Sequence, residues 1–183
     1  MPYGITMPFA NNAVSPFGSI EVKLSLKLGL LILLVSFFVT GCAVGKKIIG
    51  ATADMSVEGT GIHYIARIDT GAGRTSLNAK DIVVEASNGE NMHHDVGKMV
   101  SFTTENAQGQ SKRLTAKIVG INKVTNSQGV ERRYIIKLNI TYHGETRKVR
   151  VNLRDRSSME YKLLIGRDWL KGHYMVDVET ARS

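Results

Sequence analysis

Asp69-Thr70-Gly71-Ala72 is the stretch of this 183-residue chain best equipped to do chemistry. It follows a run in which Ile62, Tyr64, Ala66 and Ile68 alternate with other residues, the pattern of a half-buried strand, so Asp69 stands at a strand end. A carboxylate held there can take a proton from water. Small residues behind it let the backbone turn tightly, and the Thr70 hydroxyl can donate or accept a hydrogen bond. An Asp-Thr-Gly turn is also ordinary chain punctuation, and alone it says little. Among the other chemistry-bearing residues, Cys42 is the single cysteine, which excludes a disulfide framework and any cysteine-based zinc module. His93 and His94 are adjacent, and on a strand they would point to opposite faces and could not ligate one ion together. Neither a Walker loop nor an HExxH helix occurs, so no cofactor and no metal are expected.

Near the C-terminus stands Leu163-Leu164-Ile165-Gly166-Arg167-Asp168-Trp169-Leu170. Taken with Asp69-Thr70-Gly71-Ala72, in that order, this segment resembles the retropepsins, the retroviral-type aspartic proteases. Arg154-Asp155-Arg156-Ser157-Ser158-Met159-Glu160-Tyr161, running into the Leu-Ile-Gly-Arg segment, is similar to bacterial proteins named as ATP-dependent zinc proteases, themselves retropepsin-like. Some of those are encoded beside glutamate ligases that modify ribosomal proteins. The resemblance spans roughly residues 60–180. It implies Asp69 as the catalytic residue, Thr70, Gly71 and Ala72 as the active-site loop, and Ile165, Gly166 and Arg167 as the motif that packs against it. In such enzymes two carboxylates about 3 Å apart share one proton; one activates water while the other polarises the scissile carbonyl. With one motif copy per chain, the resemblance implies a homodimer that supplies Asp69 twice. Asp168 is instead expected to cap a short helix.

The chain departs from that pattern in two places. Gly73 is interposed before Arg74-Thr75-Ser76, and Leu77-Asn78-Ala79 stands where the bacterial relatives carry Leu-His-Ala. The acid that retroviral enzymes place after the Ala is also missing, which leaves Arg167 without its expected partner.

The elements that must position these residues read as β. Tyr134, Ile136, Leu138, Ile140 and Tyr142 alternate with Arg133, Lys137, Asn139 and Thr141, and Val149, Val151 and Leu153 alternate with Lys148, Arg150, Asn152 and Arg154. With a turn at Tyr142-His143-Gly144-Glu145 between them, a long hairpin over 132–153 is predicted. Weaker strand candidates are 81–86, 98–104, 113–120 and 173–178, and Arg167–Lys171 reads as a helical turn. Together these predict an all-β fold, a small retropepsin-like barrel with one short C-terminal helix. The Gly- and Asn-rich segment 87–99 would be a mobile flap, and 173–178 would add to a dimer sheet.

The N-terminal region reads as an address. Lys23 and Lys27 precede the apolar run 28–39, which ends in Val39-Thr40-Gly41-Cys42, a pattern that resembles the bacterial lipobox. That implies cleavage before Cys42 and lipidation of its thiol, with Ala43 next in line pointing to outer-membrane delivery. An uncleaved anchor is the other reading, since 28–45 is free of charge and close to the roughly 17–25 residues that span a bilayer. The expected organisation is therefore a leader over 1–41, a tether over 42–60 and the retropepsin-like domain over 61–183.

Composition adds limits. Hydrophobic residues make up 43% and charged residues 22%, which excludes a disordered chain and a many-span membrane protein. Net charge is +8, and +7 once Glu21, Lys23 and Lys27 leave with the leader, which suits an acidic partner. The basic strand residues Arg147, Lys148, Arg150 and Arg154 lack an accompanying aromatic platform, and nucleic acid is not the expected partner. The expected function is a lipid-anchored aspartic endopeptidase of the bacterial cell envelope, cutting peptide or isopeptide bonds of a peptide or protein substrate. The alternative is a peptide- or envelope-binding lipoprotein on the same fold that hydrolyses nothing.

Overall fold

The computed structural model describes Gly4, residues 45–126 and residues 129–180. The chain divides into Met1–Gly45 and Lys46–Ser183, and the second unit holds every element described below. Apart from Gly4, the expected leader over 1–41 lies outside the described residues, as does Cys42.

The second unit is all-β apart from two short turns of helix. Its strands are β1 (Lys47–Ile49), β2 (Thr52–Val57), β3 (His63–Ile68), β4 (Ser76–Asn78), β5 (Lys80–Val84), β6 (Met99–Glu105), β7 (Ser111–Lys117), β8 (Gly120–Asn126), β9 (Gly129–Tyr142), β10 (Glu145–Arg154), β11 (Leu163–Ile165) and β12 (Tyr174–Val176). A 3-10 turn covers Met92–Asp95, and helix α1 covers Arg167–Leu170. The main sheet runs β10-β4-β11-β3-β2-β9-β8, and β10 also pairs with β9. That extra pairing closes the sheet on itself and leaves β8 as an extension of β9, so most of the strand edges are removed.

The hairpin β9–β10 is the longest pairing, from Glu145↔Tyr142 to Asn152↔Ile135. Its turn residues His143 and Gly144 have φ of 47° and 79°, the left-handed pair that a two-residue hairpin connection with matching twist requires. The alternation read from the sequence sets its inner face: Ile136, Ile140, Val149, Val151 and Leu153 are buried. They join Tyr64, Ala66, Ile68, Leu163 and Ile165 in one continuous core. Trp169 belongs to that core at 1% exposure. Its ring stacks on Tyr174 at 4.9 Å, and the Arg147 guanidinium lies 5.2 Å from its centroid.

The tether expected over 42–60 is overturned from Lys47 onward. β1 pairs with β12, and β2 pairs with both β3 and β9. Ala53, Met55 and Val57 bury the inner face of β2. Small and polar neighbours hid a period-2 strand there. The strand β8 was likewise not expected, because its apolar residues Ile121 and Val124 do not alternate.

The segment 87–99, expected as a mobile flap, is tied down at its 3-10 turn. Asp95, 1% exposed, accepts hydrogen bonds from Tyr134 Oη (2.6 Å), Ser87 Oγ (2.9 Å) and Lys98 Nζ (2.9 Å), and so pins the 3-10 turn to β9. Tyr134 is on one face of the β8–β9 pair, whereas its neighbour Arg133 is on the opposite, pleated face.

Candidate active site

Asp69 follows directly on β3, which the parallel pairing Leu163↔Ala66 to Ile165↔Ile68 places beside β11. This register brings the two sequence motifs together. The Asp69 amide donates to Ile165 O at 2.9 Å, and the Arg167 amide donates to Ala72 O at 2.9 Å. Gly71 N and Ala72 N both donate to Asp69 Oδ1, at 2.8 and 3.1 Å, so the loop folds around its own carboxylate and fixes the direction in which it points. Oδ1 is thus engaged by the loop, and Asp69 as a whole is half-buried.

Gly166 explains the closeness of the approach. A Cβ at this position would stand 2.5 Å from the backbone carbon of Arg74 and 2.8 Å from its oxygen, so only glycine fits. Arg167 lacks the acidic partner of retroviral enzymes, and its Nη1 instead donates to the carbonyls of Thr70 (2.8 Å) and Gly71 (2.9 Å). The arginine therefore staples the loop through the backbone. The inserted Gly73 is exposed and leaves these anchors in place. Thr70 is exposed as well, with its carbonyl held by Arg167.

Asp168 does not cap α1. The position before the helix is Gly166, with no side-chain cap. Asp168 lies inside the first turn, and its Oδ1 accepts from both the amide and the hydroxyl of Thr75, each at 2.9 Å. Thr75 Oγ1 in turn accepts from Gly166 N at 3.3 Å. Helix, active-site loop and β11 are cross-linked by this one threonine. Asn78, where the relatives carry His, is 1% exposed and accepts the Arg156 amide at 2.8 Å.

Three arginines gather beside the loop, and sequence reasoning assigned none of them to the site. Arg133 is 8% exposed and Arg156 is 6% exposed. Burial first, then the neighbouring Arg154 and Arg133, push the Arg156 pKa down to about 10, while Asp69 acts in the opposite sense; the group stays charged at neutral pH. Glu131 bonds Arg133 Nη2 and lies 3.8 Å from Arg154 Nε, and these guanidiniums hold its carboxyl below the usual range. An open cavity of about 600 Å³ lies between loop residues 72–74 and Asn122, Arg133, Asn152 and Asp168. Arg133 and Asn152 line it, and each has a buried atom, Nε and Oδ1, without a hydrogen-bond partner. The detectable signal was a charged residue, Arg133, in register with the buried part of a long strand; alternation alone assigned it to solvent.

Among the described residues no group of His, Cys, Asp or Glu is arranged to hold a metal ion, and His93 and His94 lie in and beside the exposed part of the 3-10 turn. No helix among them is long and apolar enough to cross a membrane.

Comparison with known proteins agrees with this architecture. A probable alpha-L-glutamate ligase of Parasynechococcus marenigrum (strain WH8102) is 30% identical over 139 residues, and one of Shewanella halifaxensis (strain HAW-EB4) is 31% identical over 137. The matches take in 73% and 72% of this chain but only 28% of each relative, so the chain spans little more than a quarter of those proteins. The crystal structure of Lpg0085 from Legionella pneumophila, described as of unknown function, superimposes with a TM-score of 0.61 at 25% identity, over 76% of this chain and 98% of that one. The family model of the retropepsin-like aspartic endopeptidase RimB matches residues 48–183, and with a closed barrel that joins Asp69-Thr70-Gly71-Ala72 to Gly166-Arg167, the chain belongs to the RimB-like family.

Proposed function

We propose that this chain is an aspartic endopeptidase in which Asp69 from each of two subunits activates water for attack on a peptide or isopeptide bond. The observation that carries the reading is the loop geometry at Asp69. Two backbone N–H groups engage one carboxylate oxygen, and Gly166 and Arg167 clamp the turn from below. A carboxylate held in this way by its own loop suits a water-activating dyad. Two chains are needed because each supplies one such loop. The outer edges of the β1–β12 ribbon, with Ile48 61% and Met175 53% exposed, offer a surface for the second copy. The net charge of +8 and the glutamate ligases among the relatives support an acidic, glutamate-containing substrate. The lipobox-like Val39-Thr40-Gly41-Cys42 supports a lipid anchor at Cys42 and residence in the bacterial envelope.

The test is hydrolysis of a diverse peptide library by the full chain in detergent, wild type against Asp69→Asn, from acidic to neutral pH. Cleavage by the wild type that falls at least ~1000-fold in the variant is expected, since the residue acts on the reacting water. A folded, dimeric wild type that cuts nothing would leave the binding-module reading in its place.

A further inference from the structure

We propose that Arg133, backed by Arg154, is the specificity-determining residue of this site and seats one carboxylate of the bound peptide in the cavity next to the Asp69 loop. The inference rests on the peptidase reading above and deepens it.

Burying a guanidinium without satisfying all its donors is costly, so the partly unsatisfied Arg133 calls for an explanation. Its Nη2 is taken by Glu131, while Nε has no partner. It lines a cavity whose other walls are the loop residues 72–74, Asn122, Val124, Asn152 and Asp168. The acid in that wall is already committed, because Asp168 Oδ1 holds Thr75. Arg74 adds a further positive charge to the cavity, and Arg156 carries one close enough for Arg133 and Arg154 to disfavour it.

The chemistry of the missing group follows from what sits there now. Glu131 contacts Arg133 and approaches Arg154, so this pair already accepts a carboxylate. A planar guanidinium at the cavity wall gives a carboxylate oxygen a charge-assisted hydrogen bond through an N–H that Glu131 does not occupy, and a neutral amide accepts a weaker one. Because the cavity is bounded by Ala72, Gly73 and Arg74 of the Asp69 loop, the carboxylate recognised belongs to a residue close to the scissile bond. It can come from an acidic side chain or from the peptide's C-terminus. Glu131 is then a resident competitor: it keeps the guanidinium in place in the free protein and weakens the capture of an incoming acid.

The test uses peptide pairs that differ only by Glu against Gln at positions flanking the cut, each as the C-terminal acid and the C-terminal amide. Cleavage by the wild type, Arg133→Gln and Glu131→Gln is read as kcat/KM, and binding is read by fluorescence anisotropy on full chains that also carry Asp69→Asn. Arg133→Gln is expected to lose about 10- to 100-fold on the preferred acidic peptide and less than about threefold on its Gln counterpart. Glu131→Gln is expected to shift the acidic peptide the other way, toward tighter binding. Which half of each pair carries the effect, Glu/Gln or acid/amide, identifies the source of the carboxylate. If Arg133→Gln does not fold, Arg154→Gln, on a half-buried side chain, gives the same selective loss. Equal losses on charged and neutral peptides, or a wild type indifferent to the pairs, overturn the proposal. Discrimination in binding without any cleavage by the wild type sinks the peptidase reading and leaves the carboxylate pocket standing.

Discussion

A single methyl group separates the observed loop from a broken one. At Gly166 the added Cβ of alanine meets Arg74 backbone atoms at 2.5, 2.8 and 2.9 Å, and no side-chain rotation relieves such contacts. β11 or the 72–75 loop must move, and both are tied to Asp69, through Asp69 N to Ile165 O and Ala72 N to Asp69 Oδ1. Gly166→Ala is therefore expected to lower stability by about 1–3 kcal/mol, the usual penalty of overpacking. Thermal melting checks this value. Peptidase activity should fall further than stability explains, because the displaced loop carries the carboxylate. A variant with wild-type melting and wild-type turnover would show that the close approach is not needed.

At the scale of elements, the closed sheet supplies a rigid frame and the loops above it differ in how firmly they are held. The turn at 92–95 is tied down through one carboxylate, Asp95, whose pKa is lowered to about 2, first by the Tyr134 hydrogen bond and then by Lys98. A folded value below the ordinary 3.8 means that Asp95 contributes stability in full above about pH 4. That contribution is lost as pH falls through about 2. Asp95→Asn is expected to destabilise the protein at neutral pH and to flatten the decline in stability between pH 4 and 2, measured by urea unfolding across that range. Undiminished acid sensitivity in the variant would place the titrating group elsewhere. The pinning also shows what the sequence could and could not convey. Alternation in 134–142 and 149–153 specified the hairpin and most of its buried face, and the two motifs specified which loop meets which strand. Three features escaped it. β2 mixes Met55 and Val57 with small and polar residues, and it is drawn into the sheet by pairing with β3 and β9. Arg133 is a charge drawn inward by Glu131 and the cavity. Segment 87–99 is Gly- and Asn-rich like a mobile loop, yet its one buried acid finds three donors that are distant in sequence or hidden in the turn itself. Long-range polar partners of this kind leave no periodic trace.

The molecule as a whole presents one Asp-Thr-Gly-Ala loop and, apart from the closed main sheet, a two-stranded ribbon with open edges. Among the described residues β1 and β12 pair only with each other, in parallel, through three residues each. A ribbon that short is marginal in water, and its partners Ile48 and Met175 leave their side chains largely exposed, as does Val178 beyond them. Two-fold pairing with a second copy would extend the ribbon, cover those side chains and place two Asp69 loops in one symmetric site. Ile48→Asp combined with Met175→Asp changes neither the barrel nor the Asp69 loop, and is expected to give a folded monomer without peptidase activity, seen by sedimentation velocity alongside circular dichroism. Subunit mixing separates this from simple damage to the site. When wild-type chains are mixed with a growing excess of Asp69→Asn chains and allowed to exchange, activity per wild-type chain should fall in proportion to the wild-type fraction, because each mixed pair holds a single carboxylate that can titrate. Activity per wild-type chain that stays constant through the series would mean that one Asp69 suffices, and the double-carboxylate mechanism would have to be abandoned.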